Sequence, residues 1–581
     1  MRVVIIRALA GLGLLCSLTV PAAAIDREAF TISKYDLEVR LEPGQQRIGA
    51  RGKITVRNDS GQAQKVVALQ ISSSLSWRAI RVGGKTVQFV SQPFLSDIDH
   101  TGALSEAIVT LPVEVKAKDS MEIEIGYEGV IPLDATRLMR VGVPEGIARH
   151  TSWDQISPSF TAVRGAGYVA WYPIITESAD FSEGNSLFEV VDRWKSRVAG
   201  SEFKARVEMV GTIGEAPRVM VCTPGREVTS ETSRAQQAST ECSWMGLGTI
   251  TPVFAMANYQ DQSKPPFYLF SLPGHEAGAS TYANALDPAT KFVSGWFGAP
   301  RAPVAIADLA DPNSAPFESG TLLMASMAVE DSKLAGINLV HELVHSALPS
   351  SRPWVYEGLA HFAEAMYRQQ QGGRQAALDF LGLHRAAFLD SEKDVAVLLQ
   401  KNAGDKSAGQ PLAATFDETY YRSKAAYVWW MLYDMVGEDA LKQAIGKYRA
   451  AGDNDKDPKY VERLIEAAAK RDLGWFFDDW VYQDRGLPEL KVSNGYARPS
   501  LQGIFLVSAT IENRGGAGAE VPIILHTDNG DVLSRLRVPA HTKTAARIEV
   551  GSRPTSITVN DGSVPEADFS DHTTAIRIGP Q

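Results

Sequence analysis

Between residues 30 and 260 apolar and polar side chains alternate in short runs, as in Tyr35-Asp36-Leu37-Glu38-Val39-Arg40-Leu41 and Lys53-Ile54-Thr55-Val56-Arg57. A period of two sends successive side chains to opposite faces of a strand, so this stretch is predicted to form β-sheet with one face in water. Asn58-Asp59-Ser60-Gly61 supplies a turn between two such runs. From about residue 262 strand-like runs mix with one helix as far as Met327, and from 331 to 483 the apolar spacing becomes helical. Leu334, Ile337, Leu339, Val340, Leu343, Val344 and Ala347 recur at helical intervals, and Pro349 ends the run. Strand spacing returns after Pro488, in 504–511, 521–525 and 545–550, with glycine-rich turns between. The expected fold class is α+β in several domains: a β domain at 25–260, a mixed domain at 261–487 and a small β-sandwich at 488–581.

Residues 1–24 form a separate segment. Arg2 and Arg7 precede an apolar stretch from Ala8 to Val20, and Pro21-Ala22-Ala23-Ala24 offers small residues for cleavage, the pattern of a secretory signal peptide. The apolar stretch is shorter than the ~20 residues a membrane span requires. Leu15 ahead of Cys16 is not the small residue a lipid-attachment signal carries. The expectation is export, to a periplasm or to the medium, with no membrane attachment once the signal is removed. Cys222 and Cys242 then remain, and in an oxidising compartment they are candidates for a bridge, the alternative being two buried thiols.

Composition adds little beyond exclusions. With 581 residues, 44% hydrophobic and 22% charged, the chain reads as globular protein of about three or four domains. A net charge of −10 without a long basic run points away from nucleic acid and from an anionic membrane surface as partners.

The candidate chemistry lies in the helical stretch, in His341-Glu342-Leu343-Val344-His345 followed by Trp354-Val355-Tyr356-Glu357-Gly358. Residues four apart share a helix face, so His341 and His345 can offer two imidazole nitrogens to one tetrahedral zinc ion. Glu342 then sits beside the ion, placed to take a proton from an activated water. A second glutamate on the next helix completes the ligand set.

These residues, with several landmarks, resemble the gluzincin metallopeptidases, and among them the aminopeptidase N and leukotriene hydrolase family. The opening strands from Tyr35-Asp36-Leu37 to Val56 resemble the start of that family's N-terminal domain, and Trp171-Tyr172-Pro173 its Trp-Phe-Pro segment. Phe292-Val293-Ser294-Gly295-Trp296-Phe297-Gly298, leading to Val304-Ala305-Ile306-Ala307, resembles the helix and strand ahead of its active site. Asp472-Leu473-Gly474-Trp475-Phe476-Phe477-Asp478-Asp479-Trp480 resembles the end of its catalytic domain. The resemblance implies a saddle-like β domain, a thermolysin-like catalytic domain and a β-sandwich, without the helical C-terminal domain many members add.

The resemblance also implies site residues. The family places its third ligand eighteen residues after the second histidine, in a Trp-Leu-Asn-Glu-Gly context. Spacing here selects Glu364, whereas context selects Glu357, which only eleven residues separate from His345; Glu357 is preferred, because Trp354 and Gly358 fix the register and the connection between helices can shorten. Glu364 then becomes a partner of a ligand or a solvated group. The family's oxyanion donor is a tyrosine ahead of a Lys-Gly helix, matched here by Tyr421 in Tyr420-Tyr421-Arg422-Ser423-Lys424-Ala425, with one extra residue before the lysine and Tyr420 still open. The family's Gly-x-Met-Glu-Asn segment, whose glutamate binds the substrate amine, corresponds to Ala315-Pro316-Phe317-Glu318-Ser319-Gly320, making Glu318 the candidate clamp. His275, His361 and His384 show no ligand spacing. The expectation is an exported zinc metallopeptidase that uses one Zn²⁺, takes peptides as substrate and acts at their amino termini. The alternatives are an endopeptidase of the same clan, or a non-catalytic peptide- or protein-binding module on this fold. Side-chain preference and oligomeric state are not legible.

Overall fold

The computed structural model describes residues 25–183, 186–210, 219–222, 237–401, 410–450, 457–500, 503–566 and 568–579. The segment expected to be a signal peptide lies outside them.

In the strand Phe30–Glu42, Tyr35, Leu37, Val39 and Leu41 are buried while Asp36, Glu38 and Arg40 face water, which is the alternation the sequence carries. This strand pairs antiparallel with Arg47–Asn58 and parallel with Glu202–Val210 inside a seven-stranded sheet. A three-stranded sheet of Gln64–Ser72, Ala103–Val115 and Phe89–Leu95 accompanies it. The Trp171-Tyr172-Pro173 segment is buried between them: the Tyr35 hydroxyl donates to the Pro173 carbonyl at 2.9 Å, Tyr127 donates to the Trp171 carbonyl at 2.9 Å, and the Trp171 ring meets Phe203, Trp244 and Phe254. Cys222 and Cys242 are joined in a disulfide within this region. Three helices, α1 (Thr136–Arg140), α2 (Glu145–Thr151) and α3 (Ser186–Val198), interrupt the strands; α3 buries Leu187, Val190, Trp194 and Val198 at helical spacing.

The middle of the chain opens on a five-stranded sheet in the order Gln260–Asp261, Phe267–Ser271, Val304–Asp308, Leu322–Ala325 and Phe317–Ser319. Phe317–Ser319 is its edge strand, so Glu318 stands at the rim. Among the helices of this stretch are α4 (Glu276–Phe297) between strands, then α5 (Ser332–Ala347), α6 (Pro353–Lys401) and α7 (Ala425–Val436), with shorter helices at Glu438–Lys447, Tyr460–Ala469 and Gly474–Phe477 after them. Asp331 caps α5, its carboxylate accepting from the amides of Lys333 and Leu334. Pro353 opens α6, where a missing amide proton costs nothing. Gly373 departs from helical geometry at φ 78° and bends α6.

The crossing of α6 on α7 is tight. A Cβ at Gly358 would lie 2.6 Å from the Ala425 Cβ and 2.9 Å from the Trp429 ring. Beside it, Trp354 and Trp429 stack at 5.3 Å, and the Trp429 indole donates to the Trp354 carbonyl at 3.1 Å. At the C-terminal end two four-stranded sheets share a core with these helices through Leu490, Val507, Val521 and Ile557. A separate core fills the N-terminal sheets, and a smaller cluster running from Trp153 to Met324 joins the first two regions. Among the described residues no helix is long and apolar enough to cross a membrane.

Gly358→Ala tests how much the helix crossing tolerates. It is expected to destabilise the protein by about 1–3 kcal/mol through overpacking, read as a lower denaturant midpoint; an unchanged midpoint would show that the two helices separate freely.

Candidate metal centre

Helix α5 presents His341, Glu342 and His345, and α6 presents Glu357, His361 and Glu364; all six are buried. The Nε2 atoms of His341 and His345 face each other at 3.0 Å. Glu357 places Oε2 3.7 Å from His341 Nε2 and Oε1 3.6 Å from His345 Nε2. Glu318, reaching in from the sheet rim, brings Oε2 to 2.9 Å from His341 Nε2. These four residues offer one ligand atom each within 4.8 Å of one another.

Supporting contacts orient the ligand atoms. The Nδ1 of His341 lies 2.8 Å from Glu364 Oε1, an oxygen that also faces His361 Nδ1 at 3.1 Å, while Arg368 donates to Glu364 Oε2 at 3.2 Å. A carboxylate accepts, so Nδ1 of His341 carries a proton toward Glu364, and Nε2, which faces Glu318, is the atom that would offer its lone pair to a bound metal ion. Tyr356, standing where the resembling family has Asn, stacks on His345 at 3.8 Å and 17°. Arg422 donates to Glu318 Oε1 and sets Nε 3.6 Å from Glu357 Oε2.

The electrostatics call for a cation. Lone pairs and carboxylate oxygens that meet at about 3 Å repel unless positive charge lies among them. Burial lowers the proton affinity of His341, yet the Glu318 charge and its carboxylate contacts raise it well above the ordinary range. Burial likewise opposes ionisation of Glu357, but Arg422 and His341 hold its carboxyl down to about 2. Glu342 differs: burial first, and then the Glu318 charge, push its carboxyl well above the usual range, and its Oε2 has no hydrogen-bond partner among the described residues.

Zinc fits this donor set. Ligand bonds of about 2.0–2.1 Å in a tetrahedron place donors about 3.3 Å apart, between the 2.9 and 3.7 Å seen here. His341, His345 and Glu357 would hold the ion. Glu364 sits one shell out, bonded to Nδ1 of His341 and to His361. His361, which the sequence left as an ordinary histidine, thus belongs to the centre's support; it lies four residues after Glu357 and three before Glu364, a helical spacing that could have found it. His275 instead pairs with Asp308 at 2.7 Å, and His384 lies behind His361 with Nδ1 3.2 Å from the Ser423 hydroxyl.

A cleft of about 500 Å³ opens over the centre, walled by Arg137, Tyr168, Phe181 and Lys195 from the N-terminal half and by Glu318, His341, Glu342, Tyr421 and Arg422 from the middle. Tyr421 lies in a π-helical turn, Thr419–Lys424. Such a turn absorbs one residue more than an α-turn, which accommodates the extra residue ahead of Lys424. Lys424 is wholly buried and paired with Glu392 at 2.9 Å and Asp484 at 3.0 Å, pinning the turn from behind. The Tyr421 hydroxyl lies 3.4 Å from Lys195 Nζ, itself 2.7 Å from Glu418. Tyr420 turns its ring away, toward Phe388 and Lys424. Neither Lys195 nor Arg422 carried a sequence signal tying it to the site.

The chain matches no family model and no curated protein sequence. Its fold is similar to that of Legionella pneumophila aminopeptidase A, solved in complex with aspartic acid, at a TM-score of 0.57 and 12% identity over 95% of this chain. The match spans 60% of the Legionella chain's length. An M1 zinc metallopeptidase from Deinococcus radiodurans aligns over 79% of this chain and 95% of its own, with 14% identity and a TM-score of 0.46.

Two glutamate variants separate the inner and outer roles. Glu357→Ala is expected to release zinc, whereas Glu364→Ala is expected to keep it with affinity lowered about 10–100-fold, as measured by chelator competition. The reverse ranking would move the ligand to Glu364.

Proposed function

We propose that the chain is a zinc-dependent metallopeptidase that removes residues from the amino termini of peptides. The observation carrying this reading is the pairing of a buried three-donor set with Glu342, whose Oε2 has no hydrogen-bond partner among the described residues, in the wall of a peptide-sized cleft. A structural zinc site would need the donors but not Glu342. The fold of the Legionella aminopeptidase supports the exopeptidase form. The finer architecture follows the same reading: a saddle-like domain at 25–260, a thermolysin-like catalytic domain at 261–487 and a β-sandwich at 488–581, with residues 1–24 as the export signal. The Cys222–Cys242 bridge supports export, because such bridges persist in oxidising compartments.

Zinc bound there would lower the pKa of a coordinated water toward ~7 and polarise a carbonyl. The protein's residues do the rest. Glu342, which lines the cleft beside the ligand histidines, takes the proton of the attacking water and passes it to the departing amine. Tyr421 stays protonated, since burial and then the Glu418 charge push its phenol up, and it donates to the oxygen on which negative charge develops. Glu318 pairs with the substrate's α-ammonium and sets the scissile bond over the centre. Arg422's hold on Glu318 favours one second reading, cleavage within chains, because an occupied carboxylate selects a free amine less strongly.

Glu342→Gln is expected to retain zinc and lose turnover, while Tyr421→Phe is expected to lower kcat by about 10²–10³ with little change in KM. Aminoacyl and internally quenched peptides, assayed with and without chelator, choose between the readings. Blocked amino termini cleaved as fast as free ones would exclude the aminopeptidase form, and no chelator-sensitive cleavage of any peptide would exclude the enzyme.

A further inference from the structure

Glu318 lies closer to the ligand nitrogens than an amine clamp requires. Its Oε2 is 2.9 Å from His341 Nε2, whereas the nearest Glu357 oxygen to that atom is at 3.7 Å. Together with His345 the four donors form one set within 4.8 Å. We propose that Glu318 is a fourth protein ligand in the resting enzyme, closing the metal centre until a substrate ammonium draws the carboxylate away. This inference rests on the metallopeptidase reading and adds a resting state to it.

The geometry supplies both ends of the exchange. The strand Phe317–Ser319 holds Glu318 at the sheet rim, registered opposite Leu323, so the side chain reaches its position from a fixed backbone. Its other oxygen is held by Arg422, which comes from the π-helical turn and faces Glu357 as well. A closed four-ligand centre is the form that structural zinc sites take, and catalysis needs one position open. An α-ammonium entering the cleft would offer Glu318 a cation to replace the one it leaves, and the position Glu318 gives up would then be free for water. No bond to carbon changes in this step; one carboxylate oxygen is exchanged for one water oxygen. Selection for a free amino terminus then comes from opening the centre as well as from holding the amine, and Arg422 keeps the released carboxylate at the cleft wall.

Cobalt(II)-loaded protein tests this through its visible spectrum, without turnover. Azide taking an open position of a tetrahedral cobalt centre keeps the intense four-coordinate bands and shifts them, whereas adding to a closed centre would weaken them, so the spectrum reports which occurs. The wild-type spectrum is expected to be insensitive to azide alone and to respond once leucinamide, which carries a free α-ammonium, is added; N-acetyl-leucinamide is expected to have no such effect. Glu318→Gln is expected to respond to azide without any amine. An azide response of the wild type in the absence of amine, unchanged by leucinamide, overturns the fourth-ligand assignment while leaving the three-ligand centre intact. Failure of the wild type to bind cobalt at all overturns the metal centre itself. The wild-type arms decide the matter even if the variant does not fold.

Discussion

Four carboxylates and two imidazoles share one buried space, and such a set is stable only around positive charge. Glu318, Glu342, Glu357 and Glu364 all lie within a side chain's reach of His341 or its neighbours. Arg422 compensates Glu318 and Glu357, and Arg368 with His361 compensates Glu364. What remains is the inner ring of two nitrogens and facing oxygens, where positive charge can come from a proton on His341 or from a metal ion. Burying charge costs several kcal/mol per group unless it is paired, and a metal ion bound among these donors would offset that cost. The metal centre is in this sense a condition of the packing around it. Stability and metal occupancy are therefore coupled, because a ligand that binds only the folded chain shifts its unfolding equilibrium.

The elements that bring this ring together come from distant parts of the chain. Helix α5 contributes two nitrogens through its own periodicity, needing no partner to align them. Glu357 depends on the tight crossing at Gly358, and Glu318 on an edge strand of the five-stranded sheet. Tyr421 depends on a turn anchored from behind by Lys424 and approached from the front by Lys195 of α3. Because α3 belongs to the N-terminal half, the cleft is complete only when both halves are docked. The small core from Trp153 to Met324 does that docking, and Arg164, buried on Asp154 and lying over the Tyr168 ring at 3.8 Å, stiffens its border.

The parts legible in the sequence were those written in local periods. The alternation of Tyr35 to Leu41, the helical run of Leu334 to Ala347 and the spacing of His341 and His345 each repeat within a few residues, so one face of one element explains them. Arg422 and Lys195 are different. Nothing in the text around Lys195 distinguishes a surface lysine of an amphipathic helix from one that is only 7% exposed and reaches a tyrosine far along the chain. Arg422 was visible beside Tyr421, but its direction depends on the π-helical turn, which periodicity does not announce. The role of His361 is legible in principle, because its helical spacing from Glu357 and Glu364 marks it as a group that orients a ligand, although it has no ligand spacing of its own. The short helices α1 and α2 carry too few residues for a period to register.

The two criteria for the third ligand disagreed for a physical reason. Helix α5 ends at Ala347 and α6 starts at Pro353, so the connection is residues 348–352. Closing a loop costs free energy that changes by only ~0.6 kcal/mol for each doubling of its length, so the number of residues between two helices drifts easily. The contact surface between helices does not drift, since a single Cβ at Gly358 would collide with α7. Trp354 and Gly358 are that contact surface, and the glutamate one residue before Gly358 inherits its position from them. Glu364, two turns further along the same face, is carried just beyond the inner ring and meets the far nitrogen of His341 instead. Counting from the histidine therefore measures the loop, whereas the residues flanking the glutamate measure the packing, and it is the packing that aims the carboxylate.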